Sequence, residues 1–269
     1  MILNVDIAGV TDTGLVRPNN EDSYLVSEKP SLLVVADGMG GHASGEVASR
    51  MAIDIIQDYF DDRKGSQPFI GTYQKEYSEE TNRLGAAIRL ANMAIHDLSE
   101  STAQYRGMGT TVAAVLINDR KISIAHVGDS RVYLIRSQSI EQLTDDHSLA
   151  YEQVKKEMMS PKEAATSEMR NVLTRAVGVG TQVDVDLGEL MLMPGDRLIL
   201  CSDGLYSMVP DNDILAVITA IDESSKACQT LVKMANENGG RDNVTVIAAY
   251  IIKKSWFASL LNIMKRFRR

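Results

Sequence analysis

One pattern constrains this chain more than any other: apolar, strand-like runs that stop at an aspartate beside glycine or asparagine. Residues 32–36 form a short run without polar alternation, which fits a strand buried on both faces, and it ends at Asp37 followed by Gly38, Gly40 and Gly41. The glycines leave bare backbone where a ligand can approach, and Ser44 to Glu46 suit the opening of a helix. Residues 197–201 repeat the pattern and end at Asp203 and Gly204, while Asp242 and Asn243 stand directly ahead of the apolar run 244–252. Arg17, Glu21 and Asp22 precede the run 23–27, and Asp129 sits between the runs 121–127 and 131–135. Five acidic clusters at strand ends can meet on one rim of a sheet sandwich, where carboxylate and carbonyl oxygens suit a hard cation.

The remaining periodicities place these runs in an α+β chain. Apolar residues recur at helical spacing over 47–60 and 84–98, and two further helices are expected over 211–221 and 225–236. Strands are expected at 5–10, 23–27, 187–192 and 197–201, and the closely spaced runs 110–117, 121–127 and 131–135 read as one antiparallel meander. Residues 61–80 are polar and broken by Gly65, Pro68 and Gly71, so an irregular connection is expected there. Strands, a helix pair, more strands and a second helix pair predict a central β-sandwich of two mainly antiparallel sheets flanked by pairs of helices. Because the acids run from Glu21 to Asp242, residues 1–252 read as a single domain.

Charge and cysteine content narrow the function. The net charge is −8, but the segment 253–269 carries six basic residues and no acid, leaving 22 basic against 36 acidic residues, or −14, on the body. Such a body repels nucleic acid. Cys201 and Cys228 are too few for a disulfide framework, and with no apolar leader or spanning run a monomeric cytoplasmic protein is expected. Neither cysteine has an arginine six positions on, since Ser207 and Met234 stand there, and no phosphate-binding G-x-x-x-x-G-K-[ST] loop occurs. The four histidines lie in no zinc-type spacing, so all-oxygen ligation of Mg²⁺ or Mn²⁺ is the expectation. Two such ions about 4 Å apart can share a water and bring its pKa from about 15.7 towards neutrality, which supplies a nucleophile for a phosphoester without serine or cysteine.

In order along the chain, RPNNED, DGMGGHASGE, MGTTVAAV, AHVGDSR, TDDHS, NVLTRAVG, LCSDGL and GGRDNVTV resemble the motif series of the bacterial metal-dependent Ser/Thr protein phosphatases of type 2C, the PPM family. The resemblance covers residues 5–250 and implies a β-sandwich with a two-metal cleft at one edge. It implies that Asp37 bridges two Mn²⁺ or Mg²⁺ ions, that Gly38 offers its carbonyl to one, and that Asp203 and Asp242 bind the other. It further implies that Glu21 acts through metal-held water, that Asp22 supports the ligands, and that Asp129 helps hold a third, weaker ion. Arg17 matches the phosphate-binding arginine, so the catalytic set is Arg17, Asp37, Asp203 and Asp242, with Asn243 ordering the Asp242 loop. His42 has two readings, general acid or loop structure, because Met39 stands where animal relatives carry a histidine; His126, His147 and Cys201 read as structural.

Residues 144–175 resemble the flap of bacterial members, which borders the cleft and influences substrate choice. They depart from the pattern at Glu157, where glycine is common, and at Ser167 and Glu168, where His-Pro is common. The implied activity is hydrolysis of phosphoserine and phosphothreonine on proteins, opposing a bacterial Ser/Thr kinase. The alternatives are a phosphatase-like module that holds phosphoproteins without turnover and a hydrolase of small phosphoesters. In the basic segment 253–269, Trp256, Phe257, Leu260, Leu261, Ile263, Met264 and Phe267 share one face at helical spacing, a pattern suited to an anionic membrane surface or to a partner protein.

Overall fold

The computed structural model describes residues 4–29, 31–40, 44–61, 63, 65 and 67–252; the basic segment 253–269 and His42 lie outside the described residues. Two antiparallel sheets face each other. The first runs in the order β1 (Asn4–Asp12), β11 (Val244–Ile252), β10 (Arg197–Cys201), β7 (Arg131–Arg136) and β8 (Ser139–Gln142). The second is β2 (Asp22–Glu28), β3 (Ser31–Met39), β5 (Val112–Asn118), β6 (Lys121–Val127) and β9 (Asp186–Met191), with the short β4 (Gly109–Thr110) paired to β3. Helices α1 (Ser44–Tyr59) and α2 (Glu79–Ser101) cover the second sheet, and α6 (Asp211–Ala220) and α7 (Ser224–Glu237) cover the first. The expected helix-flanked sandwich is therefore the architecture found.

Alternation along the strands builds three apolar layers. In β3, Leu33 and Val35 point between the sheets, where they meet Val115, Leu200 and Ile247, while Leu32, Val34 and Ala36 point outward against α1 and α2. This double burial is why the run carries no polar alternation. Small residues on the helices, such as Ala48, Ala52, Ala87 and Ala91, are fully buried and let the helices lie close to the sheet. In the first sheet, Ile199, Cys201, Val246 and Ala248 turn outward to meet Leu231 and Ile218. Cys201 is thus a core side chain, and burial pushes its thiol well above the usual range.

The expected meander is corrected at its third strand. β5 and β6 pair with each other, but β9 takes the free edge of β6, and β7 crosses to the first sheet to pair with β10 and β8. The crossing runs through Gly128 at φ +102°, a conformation that a side chain would strain. Spacing alone makes the three runs look alike, and only the change of sheet carries Asp129 to the rim between the two sheets. A second difference is the start of α2, which begins at Glu79 rather than near residue 84. Its polar first turn is held by hydrogen bonds: Glu189 of β9 accepts from the Ser78 amide, from Ser78 Oγ and from Thr81 Oγ1, and Lys121 pairs with its other oxygen at 2.9 Å.

Residues 144–175 lie over the rim as short pieces, α3 (Leu149–Lys155), α4 (Pro161–Thr166) and a 3₁₀ turn at Glu168–Asn171. A bridge between Ser148 and Leu173 closes the base of this excursion. α5 (Asp203–Tyr206) is a single turn directly after β10.

Candidate metal centre

Antiparallel pairing puts the C-terminal ends of β3 and β10 at the same end of the sandwich as the N-terminal ends of β2, β7 and β11. That end opens into a cleft of about 810 Å³ lined by Arg17, Glu21, Asp37, Gly38, Asp129, Asp203 and Asp242. Asp22 lies just beneath, opposite Asp37 in the β2–β3 register and 6 % exposed. The structure thus brings together all eight residues singled out in the sequence.

Asp37, Asp22 and Asp129 are fixed from behind by neutral partners. The Asp37 amide donates to Thr111 Oγ1 at 2.9 Å and its carbonyl accepts from Thr110 Oγ1 and the Thr111 amide, both at 2.8 Å. Thr111 Oγ1 is itself 2.7 Å from Ser130 Oγ. Asp22 Oδ2 accepts from Ser202 Oγ and Thr245 Oγ1, each at 2.7 Å. The Asn243 amide ties three segments: its Oδ1 accepts from the Glu21 amide at 2.7 Å, and its Nδ2 donates to the carbonyls of Thr13 and Asn19. Those segments carry Arg17, which donates to Asp242 Oδ2 at 2.7 Å. Asp129 is 7 % exposed, and its carbonyl accepts from Tyr206 Oη of α5. Tyr206 is in turn covered by the Arg131 guanidinium, 3.6 Å from the ring centroid, which is paired to Asp146 at 2.6 Å.

The carboxylates crowd one another. Burial first, and then its neighbours Asp22, Asp203 and Asp129, push the Asp37 carboxyl well above the usual range. Asp203 is raised to about 6 by burial and by the charge of Asp242. Burial raises Asp22 and Asp129 to about 7 each, with Asp203 adding to both. Glu21 is also raised, chiefly by burial.

Three observations test whether these residues fit divalent cations. Asp22 Oδ1 and Asp203 Oδ1 are buried without a hydrogen-bond partner. The backbone of Gly38 is so closely approached that an added Cβ would stand 2.2 Å from the Gly45 carbonyl oxygen and 2.5 Å from that of Glu21. The donor set is all oxygen, the choice of Mg²⁺ and Mn²⁺. The residues fit.

A second group of possible ligands, His126, His147 and Asp186, does not. His147 Nδ1 accepts from the Gly128 amide, so its Nε2 carries the proton and donates to Asp186 at 3.2 Å. His126 Nε2 donates to the Asp145 carbonyl and the two rings stack at 4.6 Å, so both His147 nitrogens and His126 Nε2 are already committed to hydrogen bonds. This relay pins the flap base to the β6–β7 crossing, in line with the structural reading of both histidines. The supporting Thr111, Ser130, Ser202 and Thr245 went unassigned in the sequence, although they fall inside the GTTV, GDSR, CSDG and NVTV motifs.

The family model described as protein phosphatase 2C matches residues 17–244. Protein phosphatase PhpP of Streptococcus pneumoniae is 35% identical over 245 residues, which cover 90% of this chain and 96% of that protein. Serine/threonine phosphatase stp of Listeria monocytogenes is 36% identical over 240 residues, covering 88% and 92% respectively. Among solved structures, the serine/threonine phosphatase PstP/Ppp of Mycobacterium tuberculosis superposes with a TM-score of 0.82 at 36% identity, covering 94% of this chain and 100% of that one. A PstP catalytic domain in complex with 2 manganese ions gives a TM-score of 0.80 at 35% identity over the same shares.

Proposed function

The chain belongs to the protein phosphatase 2C family, and we propose that it is a metal-dependent hydrolase of phosphoserine and phosphothreonine on proteins. The observation that carries this reading is the meeting of Asp22, Asp37, Asp129, Asp203 and Asp242, from five separate chain segments, around one cleft. Arg17 hydrogen-bonds to this cluster through Asp242.

Asp37, Gly38 through its carbonyl, Asp203 and Asp242 would hold two cations, with Glu21 assisting through water and Asp129 helping to hold a third, weaker ion. Bound there, Mn²⁺ or Mg²⁺ supplies the positive charge that lets a water ionise near neutral pH and offsets charge on the phosphoryl oxygens. The chain's own groups do the rest. Arg17 presents a planar fork of donors suited to two oxygens of the phosphate and so orients it, and Asn243 holds the loop that carries Arg17 against the strand that carries Asp242. Asp22 stiffens the cluster from below through its hydroxyl partners.

The enzyme acts in the cytoplasm as a monomer, reverses the work of a Ser/Thr kinase, and makes any peripheral membrane or partner-protein contact through segment 253–269. Among the described residues no helix is long and apolar enough to cross a membrane. The test is phosphate release from a phosphothreonine peptide. Turnover is expected to require Mn²⁺ and to fall about a thousandfold in Asp203→Asn. Turnover that resists EDTA would overturn the proposal.

A further inference from the structure

The cleft has two unlike walls. Opposite the acids, residues 171–180 contain a single charged residue, Arg175, and its guanidinium is turned away to Asp186 and to the Asp184 carbonyl. The rest of this wall is neutral, and Val172 and Val179 are 50% and 57% exposed. Exposed apolar side chains on a surface loop are ordinary when the loop is loose. Here the loop is fastened on both sides of Val179.

Val177 exchanges backbone hydrogen bonds with Thr110 at 3.0 and 2.8 Å. The Gly178 amide donates to Asn92 Oδ1 at 2.7 Å, and Asn92 Nδ2 donates to the Gly180 carbonyl at 2.9 Å. Asn92 is itself buried on α2, so a rigid helix presents Val179 to the cleft. The Val179 side chain shares its base with Met39: an added Cβ on Gly109 would lie 2.8 Å from Met39 Cε and 2.9 Å from Val179 Cγ2. Met39 is two residues beyond Asp37 on β3, so this shelf adjoins the acid cluster in the same cavity. A cavity of about 810 Å³ far exceeds a phosphate group, and whatever carries the phosphate must lie over its walls.

The geometry points to a specificity subsite: Met39 and Val179 receive an apolar side chain adjoining the phosphorylated residue of a protein substrate, with Val172 exposed along the same cavity. The inference rests on the phosphatase reading and deepens it by naming the substrate class. A leucine or similar side chain there removes apolar surface from water on both partners, whereas an aspartate or lysine loses hydration against a wall that offers it no charged partner.

The experiment compares phosphothreonine peptides that differ only in the residues directly before or after the phosphothreonine, with p-nitrophenyl phosphate as a probe that has no flank. In the wild-type protein with Mn²⁺, a leucine flank is expected to exceed an aspartate flank about tenfold in kcat/KM. Val179→Asp, alone and with Val172→Asp, should bring that ratio below about threefold while p-nitrophenyl phosphate turnover stays within about twofold. Val179→Ala should give an intermediate ratio, and because p-nitrophenyl phosphate turnover reports folding, a collapsed variant is not mistaken for a lost subsite. Equal rates on both flanks, or a preference that survives both substitutions, overturn the subsite alone. Absence of Mn²⁺-dependent phosphate release from every peptide overturns the phosphatase reading and the subsite with it.

Discussion

Carboxylates at the cleft and carboxylates elsewhere in this molecule live under opposite electrostatic regimes. Away from the cleft, acids in the fold are given cations: Asp196, almost fully buried, takes Arg136 at 2.7 Å, Asp146 takes Arg131, and Asp186 takes Arg175 and His147. Burial works against the Asp186 charge, but hydrogen bonds from His147 and Arg175 outweigh it and hold the carboxyl well below its ordinary range. Glu189 behaves alike, with partial burial overcome by Ser78, Thr81 and Lys121, and is lowered to about 2. At the cleft, burial and neighbouring acids outweigh the hydroxyls that reach Asp22 and the charges of Arg17 and Arg170 near Asp203, and the carboxyls of Asp37, Asp203 and Asp22 rise instead. Arg17, paired to Asp242 at 2.7 Å, is set against Asp22, Asp37, Asp129, Asp203 and Asp242, so most of the cluster's charge is left for cations from solution to match.

Removing a charge should therefore have opposite consequences in the two regions. Asp203→Asn, which should all but abolish turnover, is expected to stabilise the metal-free protein by about 1–3 kcal/mol, read by urea denaturation in EDTA. A destabilised variant would break the contrast. The pH dependence sharpens it further. Asp203 at about 6, and Asp22 and Asp129 at about 7, have folded values raised above 3.8, so their contribution is fully present below about pH 3.8 and is lost as pH rises through 6–7. The melting temperature in EDTA should fall over that window, and the stabilisation conferred by Mn²⁺ should grow across it; a rising or flat EDTA profile would contradict the assignment. The smallest effect is expected at Glu189→Gln, which weakens the tie between β9 and the start of α2. Because the folded value of Glu189 is depressed, its stabilisation is complete above about pH 4.5 and fades as pH falls through about 2. The substitution should cost about 1–2 kcal/mol at neutral pH and leave kcat/KM unchanged.

The cleft was legible because its residues interrupt a strong signal. Asp37 and Asp203 stand where apolar runs end and Asp242 where one begins, and a lone acid beside glycine or asparagine is conspicuous there. The sandwich was legible for the same reason, since strands buried on both faces leave little polar alternation to confuse them. What escaped was information carried by pairing rather than pattern. β7 has the composition of its neighbours, and nothing in its residues says which sheet it joins. Glu189 lies in a run that reads as one more strand, and its partners Ser78 and Thr81 are more than a hundred residues away in the chain. The same holds for Asn92, an ordinary polar residue of a helix until the Gly178 and Gly180 backbone is seen resting on its amide.

The side chain of Asn243 joins backbone at Thr13, Asn19 and Glu21 to the start of β11, and β11 itself lies between β1 and β10. Contacts spanning more than two hundred residues are the last that a growing polypeptide can make. An unfinished chain on the ribosome lacks both an interior strand of one sheet and the clasp on its arginine loop. The last stretch of the sandwich to be synthesised is therefore also the one that closes the rim, because Asp242 and Asn243 stand directly ahead of β11.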